Sequence, residues 1–360
     1  MGCLGELIER YSAAFYNPNE IVVSSYKQLK EATLSLDSYA LFHENQYNNP
    51  HFIVRRLTDD LELSCTPTID LTTGKEIYCP AQLIYLPYGK DHNFIDLSTS
   101  TGLSSHTDIY QAILNSIYES IERDSFVLTW MQNIVPPKII IDDEIKSFIN
   151  TYVPDLKMEW HFFDVTYDLQ MPTIWGFCFG NADFGDFVCV ASATRSTYGE
   201  ALKKTIQELV QEIPFFRYRL GTREALPEEY SDLNSFEDHA IFYIKNKELW
   251  TVFDKYIHTK ETKKINFSEK FTGNKMTEIK RILSIFKNKG YNVLLKNLTT
   301  CDISEFGFHV IRIYIPQLIR LGGMYPYYYL GSERLYSVPR ELGYKSNNFE
   351  YLNPYPHPFP

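Results

Sequence analysis

Apolar positions recur at helical spacing in several stretches. Ile113, Ile117 and Ile121 form one stripe, in a helix that Asp108 can cap and that runs to about Trp130. Met276, Ile279, Ile282, Leu283 and Phe286 form another, ended by Gly290. A third helix is predicted from about Tyr198 to Glu212. Pro214 should stop it, because proline lacks the backbone donor and clashes with the preceding turn. The chain also opens on helix, from Glu6 to Phe15. Ile21-Val22-Val23 predicts a short strand, followed by polar helix to about residue 34. Thr68-Ile69-Asp70-Leu71 and Ile77-Tyr78-Cys79-Pro80 predict a strand pair around a turn at Thr73-Gly74-Lys75. Residues 160–195 alternate apolar and polar positions around several aromatics and predict two or three strands. Tyr291 to Leu295 and Phe308 to Pro316 predict two more. Residues 94–106, rich in Ser, Thr and Gly, predict a loop. Residues 256–275, rich in Lys, Glu and Asn, predict an exposed insertion. Strands and helices alternate with long excursions, so the fold class is α/β, with α+β as its alternative.

The length of 360 residues allows two domains or one large one. Hydrophobic residues at 44% and charged residues at 22% exclude a disordered chain. The net charge of −10 argues against a sequence-independent nucleic-acid binder. An aromatic share of 15% favours large buried aromatic surfaces or a groove for a peptide or ring. No apolar run is long enough for a membrane span, and the N-terminus lacks the pattern of a secretory signal. The six cysteines, at 3, 65, 79, 178, 189 and 301, form no CxxC pair, which excludes a zinc knuckle. Their sparseness fits a reducing cytoplasm. Gly74-Lys75 is not a P-loop, because Ile69 and Glu76 stand where Gly and Ser or Thr are needed. A GxSxG elbow and an HExxH helix are also absent, and His106 reads as a loop residue rather than a general base.

One pattern occurs twice. Glu6-Leu7-Ile8-Glu9-Arg10-Tyr11-Ser12 and Glu119-Ser120-Ile121-Glu122-Arg123-Asp124-Ser125 share E-x-I-E-R-x-S. Residues three apart share a helix face, so each copy sets two carboxylates together beside an arginine. A single copy reads best as a solvated face, with Glu119 and Glu122 opposite the isoleucine stripe and a Glu119–Arg123 ion pair. Two copies change the balance. Four carboxylates repel unless a cation joins them, and such hard oxygen ligands suit Mg²⁺ with substrate phosphates. The arginines would then meet phosphate oxygens. Glu208 and Gln211 repeat the three-residue spacing on a third helix. The ending Pro354-Tyr355-Pro356-His357-Pro358-Phe359-Pro360 cannot continue a helix or a central strand and favours polyproline II. It reads as a disordered end, a ligand for a proline-reading domain, or a stiff arm delivering its carboxylate to one place.

At these residues the chain resembles the YcaO-domain family, in its azoline-forming cyclodehydratase branch of the streptolysin S type. The resemblance spans nearly all of 1–360. It includes Asp70 to Gly74 with Cys79-Pro80-Ala81, Ser100 to Ser105, Ala112 to Asp124, Glu200 to Gln211, Val310 to Pro316 and the proline-rich tail, 349–360. Because the first motif begins almost at Met1, it also implies that the family's N-terminal segment is lacking. The implied fold has mixed sheets and flanking helices, with an ATP site between helices. The implied activity is ATP-dependent conversion of Cys, Ser or Thr in a ribosomal precursor peptide to thiazoline or oxazoline, as in microcin and bacteriocin biosynthesis. Thioamide formation and a truncated docking or scaffold role are the alternatives. Glu6, Glu9, Glu119 and Glu122 are the implied Mg²⁺ ligands. Arg10, Ser116, Arg123, Glu208 and Gln211 are the implied ATP contacts, and Pro360 acts through its terminal carboxylate. The implied partners are the precursor peptide, an E1-like leader-binding protein, a flavin-dependent azoline dehydrogenase and a second copy of the chain, with neither nucleic acid nor membrane.

Overall fold

The computed structural model describes residues 2–39, 41–154, 157–222 and 225–360. The chain divides into two compact units, each drawn from separate stretches. The first takes residues 1–121, 273–321 and 329–335; the second takes 122–272, 322–328 and 336–360. Among the described residues the strands are β1 (Val22–Ser25), β2 (Glu62–Asp70), β3 (Glu76–Pro80), β4 (Leu103–His106), β5 (Lys138–Ile139), β6 (Met158–Asp164), β7 (Thr173–Ala182), β8 (Gly185–Thr194), β9 (Thr262–Lys263), β10 (Leu294–Asn297) and β11 (His309–Tyr314). Most pairings are antiparallel and helices lie alongside, which is the α+β form of the expected class.

The first unit holds one sheet, ordered β1-β2-β10-β11-β4, with β3 also paired to β2. The β2–β3 hairpin forms as its turn residues predict, with Thr68 opposite Ile77 and Gly74 at φ +74°. Asp70 organises the turn by accepting hydrogen bonds from Thr72 N (3.0 Å) and from the hydroxyls of Thr72 and Thr73 (2.8 Å each). The Ser-rich stretch is not all loop. Its last four residues pair with β11, Leu103 opposite Arg312, since ladder bonds come from backbone and need no apolar side chain. His106, expected in the loop, therefore ends β4, and its Nδ1 accepts from Asp108 N at 2.8 Å. The opening helix, Gly2–Ala13, lies against β4 and β11. Asp108 starts the Ile109–Met131 helix by accepting from Tyr110 N at 2.9 Å.

The second unit holds the other sheet, ordered β8-β7-β6-β5-β9, antiparallel except where β9 joins β5. The Tyr198–Gly221 helix covers β7 and β8 with Ala201, Leu202, Ile206, Leu209, Ile213 and Phe216, all buried. Thr197 caps it by accepting from Glu200 N. This helix does not stop at Pro214 but continues to Gly221. Pro214 is exposed, while buried Ile213 and Phe216 hold the backbone on either side, so packing outweighs the one lost bond. Within 256–275, Tyr256, Ile265 and Phe267 are buried and Thr262–Lys263 forms β9, while most of the charged side chains are exposed. Among the described residues no helix is long and apolar enough to cross a membrane.

Candidate nucleotide and metal site

In the first unit, carboxylates from both motif copies converge on one loop-and-strand segment. Glu9 accepts a hydrogen bond from Ser105 N at 2.7 Å, and Glu119 accepts from Gly102 N at 3.2 Å. Ser105 also donates its hydroxyl to Gly5 O at 3.0 Å, which fastens the opening helix to β4. Gly102 is required for this geometry. Its φ is +80°, and a Cβ there would stand 2.1 Å from the Ile313 carbonyl oxygen. Burial raises the Glu9 carboxyl to about 7. Bonds from Ser105 oppose that rise, and the charges of Glu119 and Glu6 add to it. Two motifs about a hundred residues apart in sequence thus place like charges within electrostatic reach.

Glu6 and Arg10 lie on the exposed side of their helix and pair with each other at 3.0 Å. Glu122 departs from the solvated-face reading, being only 6% exposed. The Ile109–Met131 helix is buried around most of its circumference after Asn115, so an isoleucine stripe on one side does not imply solvent on the other. Arg123 Nε stands 3.7 Å from a Glu122 oxygen. Ser116 is fully buried and donates to Ile311 O at 3.3 Å. In the second unit, Glu208 pairs with Lys204 at 3.0 Å, and Gln211 is exposed on the same helix.

The proline-rich tail is packed rather than loose. Pro356, His357, Pro358 and Phe359 are buried. Asn353 N and Nδ2 donate to the carbonyls of Met131 and Trp130, which satisfies acceptors that a helix end leaves open. The Phe359 ring lies 4.8 Å from that of Phe126 and 4.2 Å from the Arg123 guanidinium carbon. Pro360 follows it, partly exposed.

One residue escaped the sequence reading. Arg312, in β11, is 1% exposed. Its Nη2 donates to Thr99 O (2.8 Å) and Leu83 O (3.1 Å), while Nε and Nη1 have no hydrogen-bond partner among the described residues. Burial lowers its pKa to about 10, Arg320 adds to the fall, and Glu119 opposes it. The signal was present as a lone arginine in the apolar run Val310-Ile311-Arg312-Ile313.

Among the described residues no group of three or more His, Cys, Asp or Glu is gathered closely enough to hold a metal by itself. The donor set still fits Mg²⁺. That ion takes one or two carboxylates and completes its shell with phosphate oxygens and water, and Glu9 with Glu119 offers a crowded carboxylate pair that a cation would relieve.

The chain belongs to the YcaO cyclodehydratase family, whose model, described as ATP- and Mg²⁺-binding, matches residues 1–319. Its fold is similar to that of a heterocyclase solved in complex with substrate and cofactor, 19% identical with a TM-score of 0.81, covering 99% of this chain and 48% of the other. It is similar to the heterocyclase TruD, 22% identical with a TM-score of 0.75, covering 99% and 50%. It is also similar to YcaO from Methanopyrus kandleri bound with AMPPCP and Mg²⁺, 14% identical with a TM-score of 0.58, covering 88% and 74%. The chain therefore spans about half the length of the two heterocyclases. No curated protein matches it significantly.

Proposed function

We propose that the protein is an ATP-dependent cyclodehydratase that forms thiazolines or oxazolines in a ribosomal precursor peptide. The observation that carries this reading is the meeting of Glu9 and Glu119 on the Ser105 and Gly102 amides, in a chain of the YcaO family. A Cys, Ser or Thr side chain of the peptide adds to the preceding carbonyl carbon and gives up its proton. The oxyanion takes the γ-phosphoryl of ATP, releasing ADP. Phosphate then leaves as the amide proton departs and the C=N bond closes.

Mg²⁺, when bound, supplies positive charge to the phosphate oxygens. Glu9 and Glu119, with Glu6 and Glu122, are the residues that would hold it. Arg10 and Arg123 would contact phosphate. Arg312 joins them in this reading, because a buried guanidinium with two unpartnered donors suits an anion. Ser116, Glu208 and Gln211 complete the proposed nucleotide contacts. The carboxylate of Pro360 would orient the reacting amide or accept its proton. Leader recognition would come from an E1-like partner, and a flavin-dependent dehydrogenase would oxidise the azoline.

Thermal unfolding with and without Mg²⁺ and ATP tests the reading. A ligand at 100 times its Kd stabilises the folded state by about 2.7 kcal/mol. Wild type should show a shift of that order, and Glu119→Ala should show none. No shift in wild type that otherwise unfolds cooperatively would favour the docking or scaffold role.

A further inference from the structure

Three successive tail carbonyls in the second unit each meet a side-chain donor. Trp130 Nε1 donates to Tyr355 O at 3.1 Å, Tyr243 Oη to Pro356 O at 2.7 Å, and His239 Nδ1 to His357 O at 2.8 Å. His239 and Tyr243 stand four apart on the Phe236–Lys245 helix and so share a face. The His239 and His357 rings stack at 4.0 Å with 5° between their planes, and His357 Nε2 donates to Gly322 O at 2.8 Å. These bonds select one neutral tautomer for each ring. With proline at 354, 356, 358 and 360, the tail has few amides with which to build a ladder. Its register therefore draws on what its carbonyls accept, beside the contacts of the His357 and Phe359 side chains.

We infer that Trp130, Tyr243 and His239 are positioning residues for ring formation, setting the register in which Phe359 lies beside Arg123 and Pro360 follows it. This rests on the proposed function. A polyproline II segment advances about 3.1 Å per residue, so a one-residue slip would carry Phe359 off the Arg123 guanidinium. The clamp acts on where the tail ends and touches no nucleotide, so it should govern the ring-forming step while leaving ATP affinity alone.

The test uses the full chain, with its precursor peptide and leader-binding partner for the kinetic arm. Tyr243→Phe removes one donor and little else. His239→Phe removes another while keeping a stacking ring. His239→Asn keeps an N–H near the place of Nδ1. Removing one buried donor is worth about tenfold. Tyr243→Phe and His239→Phe should each speed amide exchange at His357 and Phe359 by about that factor and slow ring formation similarly, with ATP affinity within about twofold. His239→Asn should recover most of both effects. Unchanged exchange in both Phe variants would overturn the clamp. A loosened tail with ring formation at the wild-type rate would overturn its role in positioning. A wild-type chain that makes no rings would instead count against the proposed function, and the exchange measurement would still decide the clamp.

Discussion

Glu122 shows what residue spacing conveys and what it leaves out. The repeated E-x-I-E-R-x-S pattern singles it out as one of a carboxylate pair, and its burial follows only from the helix being enclosed. Glu122→Ala should leave the fold in place and abolish ATP turnover, because a shortened side chain cannot hold a cation. Turnover measured on a variant with a native circular dichroism spectrum checks this, and retained turnover would remove Glu122 from the proposed site. Gly102 makes the complementary case, since nothing in the Ser-rich stretch marks it above other glycines. Its positive φ and its approach to Ile313 O leave no room for a methyl group. Gly102→Ala should cost at least about 2 kcal/mol in urea unfolding and weaken the Mg²⁺-ATP stabilisation, because the amide that holds Glu119 must shift. Arg312 was legible in principle, as a single charge in an apolar strand. Its unpartnered donors were not, because hydrogen-bond satisfaction depends on residues distant in sequence.

Elements were predicted well where local signals agree. The β2–β3 hairpin combines alternation with a glycine turn, and the Lys275–Asn288 helix combines an apolar stripe with Gly290 beyond it at φ +72°. They were predicted less well where tertiary packing outweighs propensity. The Tyr198–Gly221 helix passes through Pro214 because Ile213 and Phe216 are buried against the second sheet's core. Pro214→Ala should restore a bond to the Val210 carbonyl and stabilise the chain by about 1–3 kcal/mol, since proline is that much poorer than alanine inside a helix. A rise in the thermal midpoint checks this; a fall would mean that the proline's bend is needed for packing. The tail follows the same logic in reverse. Its prolines exclude regular structure, and side chains from two helices supply the order that its own backbone cannot.

At the scale of the whole molecule, each unit gathers distant stretches, and burial of ionisable groups follows from that assembly. Burial pulls His239 down to about 4, and burial together with the neighbouring His239 pulls His357 well below its ordinary value. Unfolded, both would titrate near 6.5. Below that value the unfolded chain binds protons that the folded chain refuses, so stability falls as pH falls. For His239 the loss should approach the full one-proton slope between roughly pH 6 and 4, His357 adds to it in the same direction, and this pair contributes none above about pH 7. Urea unfolding across this range checks the slope, and replacing His239 by Asn should remove its share. The sequence by itself determined the fold class, the repeated carboxylate motif, most elements and the family resemblance, because periodicity, turn chemistry and motif spacing are written in neighbouring residues. Only the tertiary structure decided that Glu9 and Glu119 share one strand-and-loop support, that Glu122 and Arg312 are buried, that a helix survives its proline and that the tail is clamped. Each of these depends on contacts between residues far apart in the chain, and no local pattern encodes which distant groups will meet.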